Sequence, residues 1–162
     1  MRCVPRAALR SLAGSVVVVL VVGTAAGGAV AAGNRNASIK PGYAQNLCLA
    51  NNSGTGRVGL ARCNKRQNQA WLVAGSGNRN ATIKLGYAQA NCLTGDANGL
   101  VHVASCAGKK VQAWLISGIG LRNATIRPGY TQRKCLTGDQ STKLVYLAPC
   151  DGARHQAWLV SA

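Results

Sequence analysis

Few groups in this chain could carry chemistry: Asp96, Asp139 and Asp151, the histidines His102 and His155, and seven cysteines. There is no glutamate. Acid/base catalysis needs two titratable groups facing one reacting atom. Asp96 and Asp139 each close the phrase CLTGD, at 92–96 and 135–139, so they are equivalent positions on separate lobes and do not form a dyad. Asp151 and His155 are close in sequence, but no serine or free cysteine is placed beside them as a nucleophile. Zinc is excluded because the chain has no Cys-x-x-Cys spacing and only two histidines. No glycine-rich phosphate loop follows a strand and opens a helix. The chain therefore reads as a non-enzyme with no metal and no cofactor, whose polar groups act by binding.

The charge balance says what such binding attracts. The first ten residues carry Arg2, Arg6 and Arg10, and no further charge appears until Arg35. A basic start, a Val-rich run and the small residues Ala29-Val30-Ala31 make residues 1–31 a secretory signal peptide with a cut after Ala31. The rival is an uncleaved anchor, since the uncharged run is long enough to span a bilayer. Its Gly- and Ala-rich second half is only weakly apolar, which favours cleavage. Residues 32–162 are one domain's length of chain and keep six cysteines, an even number that points to disulfides in a secreted, extracellular protein. Sixteen Lys and Arg face three Asp there, a net charge of +13. So basic a surface attracts acidic polysaccharides and other polyanions almost whatever its fold. After cleavage no stable membrane insertion is expected, and the chain reads as a monomer.

The elements that must position these groups come in triplicate. NRNASIKPGYAQNLCL at 34–49, NRNATIKLGYAQANCL at 78–93 and LRNATIRPGYTQRKCL at 121–136 align without a gap. Behind them come RVGLARC, LVHVASC and LVYLAPC, then QAWLV, QAWLI and QAWLV, which contain every tryptophan: Trp71, Trp114 and Trp158. The units run at about 34–77, 78–120 and 121–162. A repeat of this length is one supersecondary unit that cannot bury its apolar face alone. Short runs such as ATIKL, NCLT, LVHVA and QAWLI, separated by Gly, Asn and Asp clusters, are strand signals, and no helical stripe persists over three turns. Four strands in each of three units predict a closed, pseudo-threefold all-β structure without exposed edges. The recurring Asn36, Asn80 and Asn123, each followed by Ala-Ser/Thr, read as turn residues before a strand.

Cys-Leu, then Val-x-Leu-x-x-Cys or its close variants, then Gln-x-Trp, three times over residues 34–162, resembles the ricin B-type lectins, whose fold is the β-trefoil. The resemblance implies a glycan-binding module. It makes Trp71, Trp114 and Trp158, with Gln69, Gln112 and Gln156, core residues around the threefold axis rather than sugar platforms. It also agrees with one disulfide inside each unit: Cys48–Cys63, Cys92–Cys106 and Cys135–Cys150.

Ricin-type units bind sugar with an aspartate directly after Cys-Leu, an aromatic two residues before the second cysteine, and polar partners nearby. This chain departs from that pattern. The aspartate slot holds Ala50, Thr94 and Thr137, and the aromatic slot holds Ala61, Ala104 and Ala148. Two residues beyond the aspartate slot stand Asp96 and Asp139, with Asn51 taken as their first-unit counterpart. Two readings stand for these carboxylates: a displaced sugar contact, or an Asp that fixes its own turn. Strand alternation turns Tyr146 outward beside Ala148, a displaced platform or a plain amphipathic surface tyrosine, with His102 and Gly59 as its counterparts. The slot before the glutamine holds Asn68, Val111 and His155. The third unit, with Asp139, Tyr146 and His155, is thus the best candidate sugar site. The second keeps Asp96 and His102, and the first reads as silent. The rival functions are a polyanion binder that has lost neutral-sugar recognition and a trefoil that binds or inhibits a protein partner.

Overall fold

The computed structural model describes residues 36–75 and 80–161. The signal segment and its cut site lie outside them. The first unit contributes β1 (Ser38–Pro41), β2 (Leu47–Asn51), β3 (Val58–Arg62) and β4 (Trp71–Ala74). The second contributes β5 (Thr82–Leu85), β6 (Asn91–Gly95), β7 (Val101–Ser105) and β8 (Trp114–Ser117). The third contributes β9 (Thr125–Pro128), β10 (Lys134–Gly138), β11 (Val145–Pro149) and β12 (Trp158–Ser161). A single 3-10 turn ending on the repeated glutamine precedes β4, β8 and β12.

Six of these strands close a barrel. Ladders β4–β5, β8–β9 and β12–β1 join neighbouring units, the last pairing Ser38 with Ser161. Within each unit one bridge completes the ring: Ala37 to Trp71, Ala81 to Trp114 and Ala124 to Trp158. The other six strands form the hairpins β2–β3, β6–β7 and β10–β11. These cap one end and touch through bridges Gly59–Leu144, Arg57–His102 and Leu100–Tyr146. The fold is a β-trefoil. Its backbone hydrogen bonds are met inside the ring, which is what closure achieves for a sheet of such short strands.

The Gln-x-Trp phrase organises this frame. Trp71, Trp114 and Trp158 are each 0% exposed, and their indole N–H groups donate to the carbonyls of Leu49, Leu93 and Leu136 at 3.0, 2.9 and 2.8 Å. No face of these rings is left for a ligand. The buried glutamines serve as clamps. Gln112 Oε1 accepts from Ala107 N–H at 2.8 Å, and its Nε2 donates to Ser105 C=O at 2.8 Å; Gln69 and Gln156 repeat the pair. Each glutamine thereby ties the loop leaving a hairpin to the strand that enters the barrel. The disulfides Cys48–Cys63, Cys92–Cys106 and Cys135–Cys150 pin the same loop from the other side, one per unit.

Candidate functional site

Asp139 begins the loop that joins β10 to β11. Its N–H donates to Leu144 C=O at 2.9 Å. Its Oδ1 accepts from Ser141 N–H at 2.8 Å, Ser141 Oγ at 2.6 Å and Thr142 N–H at 3.3 Å. These bonds, the Ser141 hydroxyl foremost, hold its carboxyl well below the usual carboxylate range. The turn-fixing role of this aspartate is therefore real, and it occupies one oxygen. The side-chain bonds all fall on Oδ1 rather than Oδ2.

The threefold relation identifies the counterparts and corrects one of them. Asp96 N–H donates to Leu100 C=O, and Asn52 N–H donates to Arg57 C=O, in the same turn. Asn52 Oδ1 accepts from Gly54 N–H at 3.0 Å and Thr55 N–H at 3.3 Å, as Asp139 does in its own loop. The first-unit counterpart of the aspartates is thus Asn52, not Asn51. Asn51 pairs with Val58 at the end of its ladder, where Gly95 pairs with Val101 and Gly138 with Val145, and it is buried. The slots that hold the family's aspartate are closed to solvent as well. Thr94 and Thr137 are buried, donate to the carbonyls of Cys92 and Cys135, and accept from Gln112 and Gln156.

In the third unit the separate signals meet. A cleft of about 410 Å³ is lined by Asp139, Gln140, Ser141, Tyr146, Arg154 and His155, with Gly138 at its base and Tyr43 from the first unit as a further wall. Tyr43 reaches across the ring and donates its hydroxyl to Gly138 C=O at 2.6 Å. Burial pushes its phenol above the ordinary value, and the nearby Asp139 charge adds to that. Tyr146 stands across the hairpin ladder from Thr137 and is 39% exposed, as strand alternation predicts for an outward residue. His155 Nε2 lies 3.2 Å from Asp151 Oδ2, while Asp151 Oδ1 accepts from Ala153 N–H. That arrangement orients the imidazole; half-exposed as the contact is, it adds little stability. The cleft thus combines two phenol rings, a carboxylate, a guanidinium and an imidazole in a volume within the usual range for small ligands, about 300–1,000 Å³.

The other units lack this assembly. Asp96 and His102 line neither this cleft nor the three others that the first and second units contribute to. His102 lies across its ladder from Thr94, with Nδ1 buried and without a partner. Above the second-unit turn, Tyr130 donates to Asp96 C=O at 2.9 Å and Lys134 Nζ to Ala97 C=O at 2.6 Å, so the third unit reaches over that turn. The first-unit cleft holds Asn52, Gly59, Ala61 and Asn68 and has neither a carboxylate nor an aromatic ring. Sequence reasoning missed Tyr43 and Arg154. The signal for Tyr43 was present, since Gly-Tyr recurs in every unit as Tyr43, Tyr87 and Tyr130. What a single unit does not show is that this tyrosine serves its neighbour.

Neither a family model nor a curated protein sequence matches the chain. Solved structures do. A mosquitocidal holotoxin matches 79% of this chain at TM-score 0.69 and 18% identity, over 17% of its own length. A type II ribosome-inactivating protein homologue from Momordica charantia, in complex with α-methyl-D-galactoside, matches 78% at TM-score 0.61 and 23% identity, over 47% of its length. The β-trefoil lectin of the Vibrio vulnificus hemolysin/cytolysin, with N-acetyl-D-lactosamine bound, matches 81% at TM-score 0.61 and 20% identity, over 95% of its length. The chain therefore spans a sixth to a half of the first two and nearly all of the third. The resemblance to ricin B-type trefoils holds for the fold. Among the described residues no helix is long and apolar enough to cross a membrane.

Proposed function

We propose that residues 32–162, after removal of residues 1–31, form a secreted carbohydrate-binding module without catalysis that takes a sugar in the third-unit cleft. The observation that carries this reading is the convergence of Asp139, Tyr146 and His155, with Tyr43 and Arg154, around one opening. The two sugar-bound neighbours support it: the Vibrio β-trefoil lectin has N-acetyl-D-lactosamine bound, and the Momordica protein is in complex with a galactoside. Tyr146 offers its ring to the apolar face of the sugar. Asp139 Oδ2 accepts from ring hydroxyls, and Arg154 and His155 donate. Three disulfides fit an oxidising compartment. The Ser141 hydroxyl in the cleft donates to Asp139 Oδ1 and so belongs to the turn.

A glycan array at low and high salt tests the reading. Binding that survives high salt identifies a sugar site, because salt screens the attraction of a +13 surface. Asp139→Asn is the informative variant. Asn52 shows that an amide oxygen holds this turn, so the fold persists while the acceptor at Oδ2 is lost. A charged hydrogen bond is worth about 1.5–3 kcal/mol, so affinity should fall tenfold or more. Tyr146→Ala should weaken binding similarly with the melting temperature retained, and Asn68→Ala in the first unit should leave it unchanged. If no glycan binds at either salt concentration, the sugar reading falls and a protein partner for the trefoil loops takes its place.

A further inference from the structure

The first and second units carry a second cleft, at the same place in each, on the side of the barrel away from the hairpin turns. In the first unit it lies between Lys40 on β1, the Cys48–Cys63 disulfide, and Lys65 and Arg66 on the loop after β3, with a volume of about 560 Å³. In the second, Lys84 on β5, Cys92–Cys106 and Lys109 line a smaller one of about 300 Å³. The matching third-unit positions hold Arg127, Gly152 and Ala153, with Asp151 alongside. The cations at this place therefore fall from three to two to one around the ring. Nothing acidic offsets the first cleft: among the described residues the one ion pair is His155–Asp151, in the third unit.

Lys65 has φ +58°, and its counterparts Gly108 and Gly152 have φ +63° and +72°. The left-handed conformation is free for glycine and costly for any residue with a Cβ. Lys143 shares this strain at φ +63°, with Gly56 and Gly99 as its counterparts, so what distinguishes Lys65 is its place in the cleft beside Lys40 and Arg66. We infer that the first-unit cleft binds the sulfate or carboxylate groups of an acidic polysaccharide, with a weaker copy in the second unit and none in the third. Its other walls, among them Ser38, Gln69 and Ala70, include no aromatic ring on which a nucleic-acid base would stack. The site is separate from the third-unit cleft and does not depend on it.

The test measures affinity for heparin as the probe, with the full disulfide-bonded chain. One triple variant, Lys40→Gln with Lys65→Gly and Arg66→Gln, removes the cleft cations. A control triple, Lys143→Gly with Arg122→Gln and Arg133→Gln, removes the same charge elsewhere and relieves the other left-handed lysine, at φ +63°. The cleft triple should lose tenfold or more in affinity, and its salt dependence should shallow by about one unit of slope per cation removed. The control should lose less than about threefold, the share of general surface charge. Lys65→Gly alone should weaken binding without lowering the melting temperature. Equal losses in the two triples would replace the site with diffuse attraction and overturn the inference. So would loss of heparin binding in Tyr146→Ala, or competition by single-stranded DNA as strong as that of heparin of equal charge.

Discussion

Asp139 divides its oxygens between the protein and the cleft, and its titration should show that division. The Ser141 and Thr142 bonds depress its folded-state value. What they contribute is complete above the ordinary aspartate value of about 3.9, shrinks below it, and is gone once pH has fallen through the lower folded value. The Asp139 carboxyl carbon resonance should therefore still report the ionised form at about pH 3, below that ordinary value. Ser141→Ala removes the largest cause and should move the titration back toward it. A carboxyl that titrates at the ordinary value in the unmodified protein would show that the turn bonds do not hold in solution. At the same scale, the neighbours Asn51 and Asn52 differ completely: one is buried at the end of a ladder, and the other holds the turn.

At the scale of the element, each hairpin must lie close over a tryptophan. A Cβ at Gly95 would sit 2.8 Å from Trp114 Cη2 and 2.9 Å from Leu147 Cδ1. The first unit shows what a side chain costs at this place, since Asn51 keeps a buried Oδ1 without a partner. Gly95→Ala should therefore destabilise by about 1–3 kcal/mol, the usual cost of overpacking. Gly54, on the exposed loop between β2 and β3, meets only Asn52 Oδ1 at 3.5 Å and has no left-handed φ. Gly54→Ala should be neutral, or stabilise by roughly 0.4–1 kcal/mol through the unfolded chain. Denaturant midpoints of the two variants, measured together, check the contrast. Equal midpoints would mean that the hairpin does not press on the indole.

For the whole molecule, closure decides stability. Every unit ends on a strand that pairs with the next unit, and β12 returns to β1. A fragment of residues 80–120 keeps its own disulfide and Trp114, but it loses the β4–β5 and β8–β9 ladders. It should be unfolded as a monomer by circular dichroism, although its loop closure is worth about 3 kcal/mol in the chain-entropy model. A fragment that folds as a monomer would contradict the dependence on closure. In the full chain, Trp114→Ala should cost about 3–5 kcal/mol, as expected for a large aromatic removed from a core.

Much of this architecture was legible in one unit. Strand alternation, turn residues and the pairing of Cys92 with Cys106 act over short stretches of chain, and each was written three times. The burial of Trp71, Trp114 and Trp158 was what the resemblance to ricin B-type units implied. The candidate site was legible only in part. Asp139, Tyr146 and His155 belong to one unit and are local to it, whereas Tyr43 reaches Gly138 from 95 positions away. The bonds to the Asp96 turn from Tyr130 and Lys134 also come from a neighbouring unit. Sequence determined the units because their interactions are local and periodic. Tertiary structure decided which side chains meet at each turn, because a cleft between lobes takes its walls from whichever side chains ring closure brings to its edge.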